Sequence, residues 1–131
     1  MNGDGGGLDV ALAGLMLGEA RGDGAGTLGV LADLFGAAFG PGLRRIESGG
    51  LFRAKRLVGI ELQEGGWEYR IGLDPSGALA AERSHAARGI RLKTEAISVP
   101  EALEELRQAI LARAGASHAT RTAVERFLNL S

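Results

Sequence analysis

Two histidines, His85 and His118, stand in a chain of 131 residues that has no cysteine. That composition removes thiol nucleophiles, thiolate metal sites and disulfides together, and it rules out a histidine-rich metal centre. A mixed site of histidine and carboxylates would need a ligand spacing that is not there. Ser84 and His85 are adjacent in a stretch of strand character, so their side chains leave opposite faces and do not form a nucleophile and base pair. Ser117 and His118 suit a helix cap. The paired carboxylates Glu104 and Glu105 fall on the outer side of a helix, in solvent. No acid, base and nucleophile converge, so the expectation is a protein that is not an enzyme and uses no cofactor or metal.

Gly22, Gly24 and Gly26 ahead of Thr27 have the look of a phosphate-cradling loop at a helix start. The context argues against it, because no strand precedes the loop and no lysine occurs before Lys55. Arg21-Gly22-Asp23 is an adhesion tripeptide in secreted proteins, and here it is read as chance.

One constellation depends on how strands pair. Trp67, Tyr69, Arg83 and His85 fall on one face near the end of a sheet, with Arg83 placed to stack on Tyr69. Such a cluster can hold an anionic ligand or a partner's side chain; its structural alternative is a closed core edge from which Arg83 reaches outward. A second group, Arg44, Arg45, Arg53, Lys55 and Arg56, forms a basic edge that can receive an acidic partner or stay solvated.

The elements that must position these residues centre on positions 56–97. Val58, Ile60 and Leu62 alternate with Gly59, Glu61 and Gln63; after Gly65-Gly66, Trp67, Tyr69, Ile71 and Leu73 alternate with Glu68, Arg70, Gly72 and Asp74. Two runs of period 2 joined by Gly-Gly are a β-hairpin. With Gly65 and Gly66 as the loop, Leu62 faces Tyr69, Ile60 faces Ile71, Val58 faces Leu73 and Glu61 faces Arg70. Asp74-Pro75-Ser76-Gly77 follows type I turn preferences and sets Trp67 against His85, Tyr69 against Arg83 and Arg70 against Glu82. A third reversal at Ala87-Arg88 would set Arg83 against Leu92, His85 against Ile90 and Glu82 against Lys93. The solvent face then carries a row of alternating sign, Glu61, Arg70, Glu82, Lys93.

Either side of this meander the pattern is helical. Residues 1–7 are glycine-rich and expected to be disordered, leaving 8–131 as one domain. Leu8 to Ala20 forms a helix apolar on most sides, with Gly14 and Gly18 spaced for close approach of another helix. Thr27 caps a second helix to Phe39, ended by Gly40-Pro41-Gly42. Leu43 to Ser48 is a strand, Gly49-Gly50 a bend, and Leu51 to Lys55 leads into the meander. Ser98-Val99-Pro100-Glu101 has capping-box spacing and opens a helix to about Ala114, closed by Gly115. Ser117 starts a last helix. The fold class is α+β: two N-terminal helices, an antiparallel meander of four to five strands, and two C-terminal helices packed on one sheet face.

Net charge is −1, with one arginine against five acids in residues 1–40 and ten bases against seven acids in residues 41–95. That excess is far short of the basic stripe of a nucleic-acid binder. With no signal-like or membrane-spanning run, the expectation is a cytoplasmic protein without a membrane partner. Arginine makes up thirteen of the fifteen bases, which with abundant glycine and alanine suggests a bacterial, GC-rich source. In size and helix-sheet-helix order the chain is loosely similar to small dimeric secretion chaperones, a likeness of layout alone. The function expected is a non-enzymatic protein-interaction or assembly module of chaperone or adaptor type. It would act as a homodimer using the N-terminal helix and would also bind an unidentified protein. The alternative is a small-ligand binding domain with a pocket between sheet and helices, lined by the Trp67 cluster.

Overall fold

In the computed structural model, residues 7, 10, 12–14, 22–87, 90–116 and 118–130 are described. Five strands, β1 (Leu43–Gly50), β2 (Arg53–Glu64), β3 (Trp67–Leu73), β4 (Leu79–Ala87) and β5 (Ile90–Ile97), pair in chain order as one antiparallel meander. Three helices, α1 (Gly24–Phe39), α2 (Val99–Ala116) and α3 (His118–Leu130), flank it in the chain. Gly7, Val10, Leu12, Ala13 and Gly14 are also helical; the rest of the expected first helix and residues 1–6 lie outside the described residues. Leu12 is buried in the core and Val10 is exposed. Among the described residues nothing lies within 4 Å of a side chain placed at Gly14, and Gly18 lies outside them.

The central hairpins follow from their turns. Gly65 and Gly66 take φ of 60° and 81°, the positive values a two-residue primed turn requires. Ile60 faces Ile71, Glu61 faces Arg70 and Leu62 faces Tyr69. In the next turn the Asp74 carboxylate accepts from the Ser76 and Ala78 amides at 2.8 and 3.1 Å. These bonds and that of the Ser76 hydroxyl hold its pKa below the usual carboxylate range. The ladder beyond runs from Leu73 opposite Leu79 to Trp67 opposite His85.

Three shifts change the outer registers, one of them between Ser48 and Gly50 at the end of the β1–β2 ladder. Between β1 and β2, Ile46 faces Gly59 but Glu47 faces Leu57, so the extra residue turns Val58 away from the expected pairing with Leu73. Leu57 packs against the core in its place. Between β4 and β5, His85 faces Lys93 while Ala86 faces Arg91, which leaves Leu92 outside the ladder. Arg83 therefore faces Glu95, and neither of the expected pairs with Leu92 and Ile90 forms. Glu82 faces Ala96, so Lys93 drops out of the charge row.

Helix α1 starts earlier than Thr27. Asp23 is the cap, its carboxylate accepting from the Gly26 amide at 3.1 Å, and Thr27 is buried one turn inside. A side chain at Gly26 would strike this carboxylate, and one at Gly24 would strike the Gly77 carbonyl. Ser98 caps α2, its hydroxyl accepting from the Glu101 amide at 3.1 Å. The helix runs through Gly115 to Ala116, because that glycine keeps helical geometry instead of turning left-handed.

Ile60, Leu62, Tyr69, Ile71 and Ala81 on one sheet face join Leu28, Leu31, Phe35, Leu103, Leu106 and Ile110 in a single core. Helices α1 and α2 lie on that face, and α3 packs against both of them as an outer layer. Among the described residues no helix covers the opposite face, where Arg44, Arg70 and Ala80 are exposed. No helix among the described residues is long and apolar enough to cross a membrane.

Candidate functional site

Trp67 and Tyr69 alternate with outward residues on β3, and the β3–β4 turn fixes which residues of β4 lie beside them. The result is the predicted cluster: Trp67 opposite His85 and Tyr69 opposite Arg83. The Trp67 and His85 rings meet edge to face, with centroids 4.2 Å apart. The Arg83 guanidinium, however, does not stack on Tyr69. It sits 4.6 Å from the Trp67 ring centroid.

The reason is Glu105. Expected in solvent, this residue borders the buried stripe of α2, three positions after Ala102 and four before Ala109, and it turns toward the sheet. Its carboxylate accepts from the Tyr69 hydroxyl at 2.6 Å and from Arg83 Nη1 at 2.5 Å. Glu95 on β5 accepts from Arg83 Nε and Nη2 at 3.1 and 2.6 Å. Arg83 is thus held by two carboxylates and one ring face, which drives its pKa further above the ordinary arginine value and holds Glu95 below the usual carboxylate range. Burial, then the bond to Glu105, pushes the Tyr69 phenol well above its usual pKa. Glu104 does face solvent, and its bonds to Arg107 and Gln108 lower it to about 2.

With its charge matched twice, Arg83 ties α2 to strands β3 to β5 and has little left for an anionic ligand. Beyond it, Trp67, His85, Lys93 and Glu95 line an open depression of about 350 Å³. That surface suits a small flat or amphipathic group.

The expected basic edge divides. Arg44 pairs with Glu61 at 2.9 Å on the open face, whereas Arg45 pairs with Asp33 of α1 at 3.0 Å on the helix side. Arg53, Lys55 and Arg56 lie elsewhere, exposed along the outer part of β2, beside a turn formed by Leu51 and Phe52 instead of an extended lead-in.

The open sheet face carries two features that the sequence only half announced. Across β1 to β4 runs the row Arg44, Glu61, Arg70, Glu82, with neighbouring ion-pair distances of 2.9, 3.5 and 3.9 Å. The next rung is Ile46, Gly59, Gly72, Ala80. Small residues there leave a trough of about 300 Å³, walled by Ile46 and Val58 and flanked by Arg70. The alternating row was visible from β2 to β4; its fourth member comes from β1, whose register no turn chemistry signals. Among the described residues no group of His, Asp and Glu side chains is placed to hold a metal.

No family model, no curated protein and no solved structure matches this chain.

Proposed function

We propose that this protein is a non-enzymatic interaction or assembly module that works as a homodimer through the open face of its sheet. The observation that carries the reading is the self-complementarity of two adjacent rungs on that face. A two-fold axis parallel to the strands and passing between β2 and β3 exchanges β1 with β4 and β2 with β3. The row Arg44, Glu61, Arg70, Glu82 then meets its own reverse, each cation opposite an anion. On the neighbouring rung, Ile46 of one copy meets Ala80 of the other, a large side chain against a small one. Facing sheets pack about 10 Å apart with strands nearly aligned, which suits this arrangement.

Native mass spectrometry and sedimentation at micromolar concentration test it. A dimer is expected, and Ala80→Glu, at an exposed position, should give a folded monomer with the same circular dichroism. A wild-type chain that is monomeric throughout this range ends the reading.

The depression beside Trp67 supports a second reading, a small-ligand binding domain. Thermal melting separates the two: a midpoint that rises with protein concentration favours assembly, and one that responds to ligand at fixed concentration favours the depression.

A further inference from the structure

The outer part of the β1–β2 hairpin is a projection with an unusual distribution of side chains. Residues 47–49 and 51–56 are exposed, so neither face of this part of the hairpin is covered by the helices. At its tip Leu51 and Phe52 are each 97% exposed. Gly49 and Gly50 take φ of 101° and 148°, and a side chain at Gly49 would come within 2.7 Å of the Ala54 carbonyl oxygen. The turn is therefore drawn tight behind two adjacent apolar residues that touch nothing in their own domain.

Cations follow the tip at once. Arg53, Lys55 and Arg56 are exposed and have no ion-pair partner among the described residues; Glu47 is the lone acid of the projection. The ladder shifts register between Ser48 and Gly50, opposite Arg53 to Arg56, so these cations sit in a bulged segment directly behind the tip. By strand rise, Arg53 to Arg56 lie about 3 to 13 Å behind Phe52. A bilayer's headgroup layer is about 5–7 Å deep on each side of its hydrocarbon core. Apolar tip and cationic collar thus match the depth profile of one anionic leaflet.

We propose that the β1–β2 hairpin is a docking finger for an anionic lipid bilayer, with Leu51 and Phe52 entering the hydrocarbon boundary and Arg53, Lys55 and Arg56 meeting acidic headgroups. A protein groove would need to match both the apolar tip and the three cations behind it, whereas a leaflet meets all of them by depth alone. The two-fold axis proposed above runs along the strands and would put both fingers at the same end of the dimer. One finger suffices for docking, so the inference does not depend on that dimer.

Vesicle sedimentation tests it, using phosphatidylcholine alone and phosphatidylcholine with about 30% phosphatidylserine, at low ionic strength where surface charge is least screened. The full chain should bind the anionic vesicles and bind the neutral ones weakly. Leu51→Ser with Phe52→Ser should reduce binding at least about tenfold with an unchanged melting temperature, since both positions are exposed. Arg53→Gln, Lys55→Gln and Arg56→Gln should each weaken binding about fivefold. Phe52→Trp should add an emission component that shifts to the blue on anionic vesicles. The inference is overturned if wild type does not bind anionic vesicles, if it binds neutral ones equally, or if binding survives the double serine variant. Loss of dimer in that variant by native mass spectrometry would overturn it too, by placing the tip in a second copy.

Discussion

Trp67 and His85 face each other across β3 and β4 with ring centroids 4.2 Å apart and planes at 73°. Trp67 is the only tryptophan, so its emission reports on this pair alone. The imidazole edge against the indole face is part of the environment that this emission senses. His85→Gln should therefore change the emission of the folded chain, and His118→Gln should leave it as in the wild type. An emission spectrum unaltered by His85→Gln would contradict the contact.

Tyr69 is the sole tyrosine, and its phenol is raised above the ordinary value by burial and by Glu105. A raised value in the folded state means that the neutral phenol contributes stability below the unfolded pKa of about 10. That contribution is lost as pH climbs toward the folded value. Absorbance at the phenolate band should therefore stay silent through the usual tyrosine range while the chain is folded, and should appear near pH 10 in denaturant. Phenolate forming near pH 10 with circular dichroism intact would contradict the bond to Glu105.

Ile71 is 1% exposed at the centre of the sheet, and Arg70 beside it points to the open face. Ile71→Ala should cost about 2–5 kcal/mol by urea denaturation as a core truncation. Arg70→Ala should cost no more than about 1 kcal/mol, because Arg70 itself is exposed and Arg44 still pairs with Glu61. Equal losses would mean that the two faces are exchanged.

Replacing Arg83 by methionine leaves Glu95 and Glu105 facing each other without their shared cation, so Arg83→Met should destabilise more than Arg70→Ala. The pH dependence has a defined sign. Glu95 is depressed in the folded state by Arg83, so its contribution is present above the ordinary carboxylate pKa and is lost as pH falls through the folded value. Wild-type stability should decline below about pH 4, and Arg83→Met should show a shallower decline over the same interval.

The β2–β3 and β3–β4 registers were readable because each rests on a turn whose residues act over a few positions: paired glycines with positive φ, then Asp74 bonding its own loop. The same holds for the Ser98 cap. The juxtaposition of Trp67, Tyr69, Arg83 and His85 follows from those two turns by counting, so the sequence alone determined which site residues share a face. Asp23 shows how a local signal can be passed over in favour of another, since Asp23 and Thr27 are both competent caps four residues apart. Tertiary structure decided the rest. The bulges at Val58 and Leu92 have no local mark, and a one-residue shift reverses which side chains meet the core. The sheet accepted Leu57 in place of Val58 because packing against the helices selects between two neighbouring apolar residues. Arg83 left Tyr69 for Trp67 because Glu105 arrives from a helix 22 residues further along the chain, and no pattern within β4 encodes that approach. Turns and caps are short-range interactions written in adjacent residues, whereas the partner of a half-buried charge depends on the distance between a helix and a sheet, which only the assembled core sets.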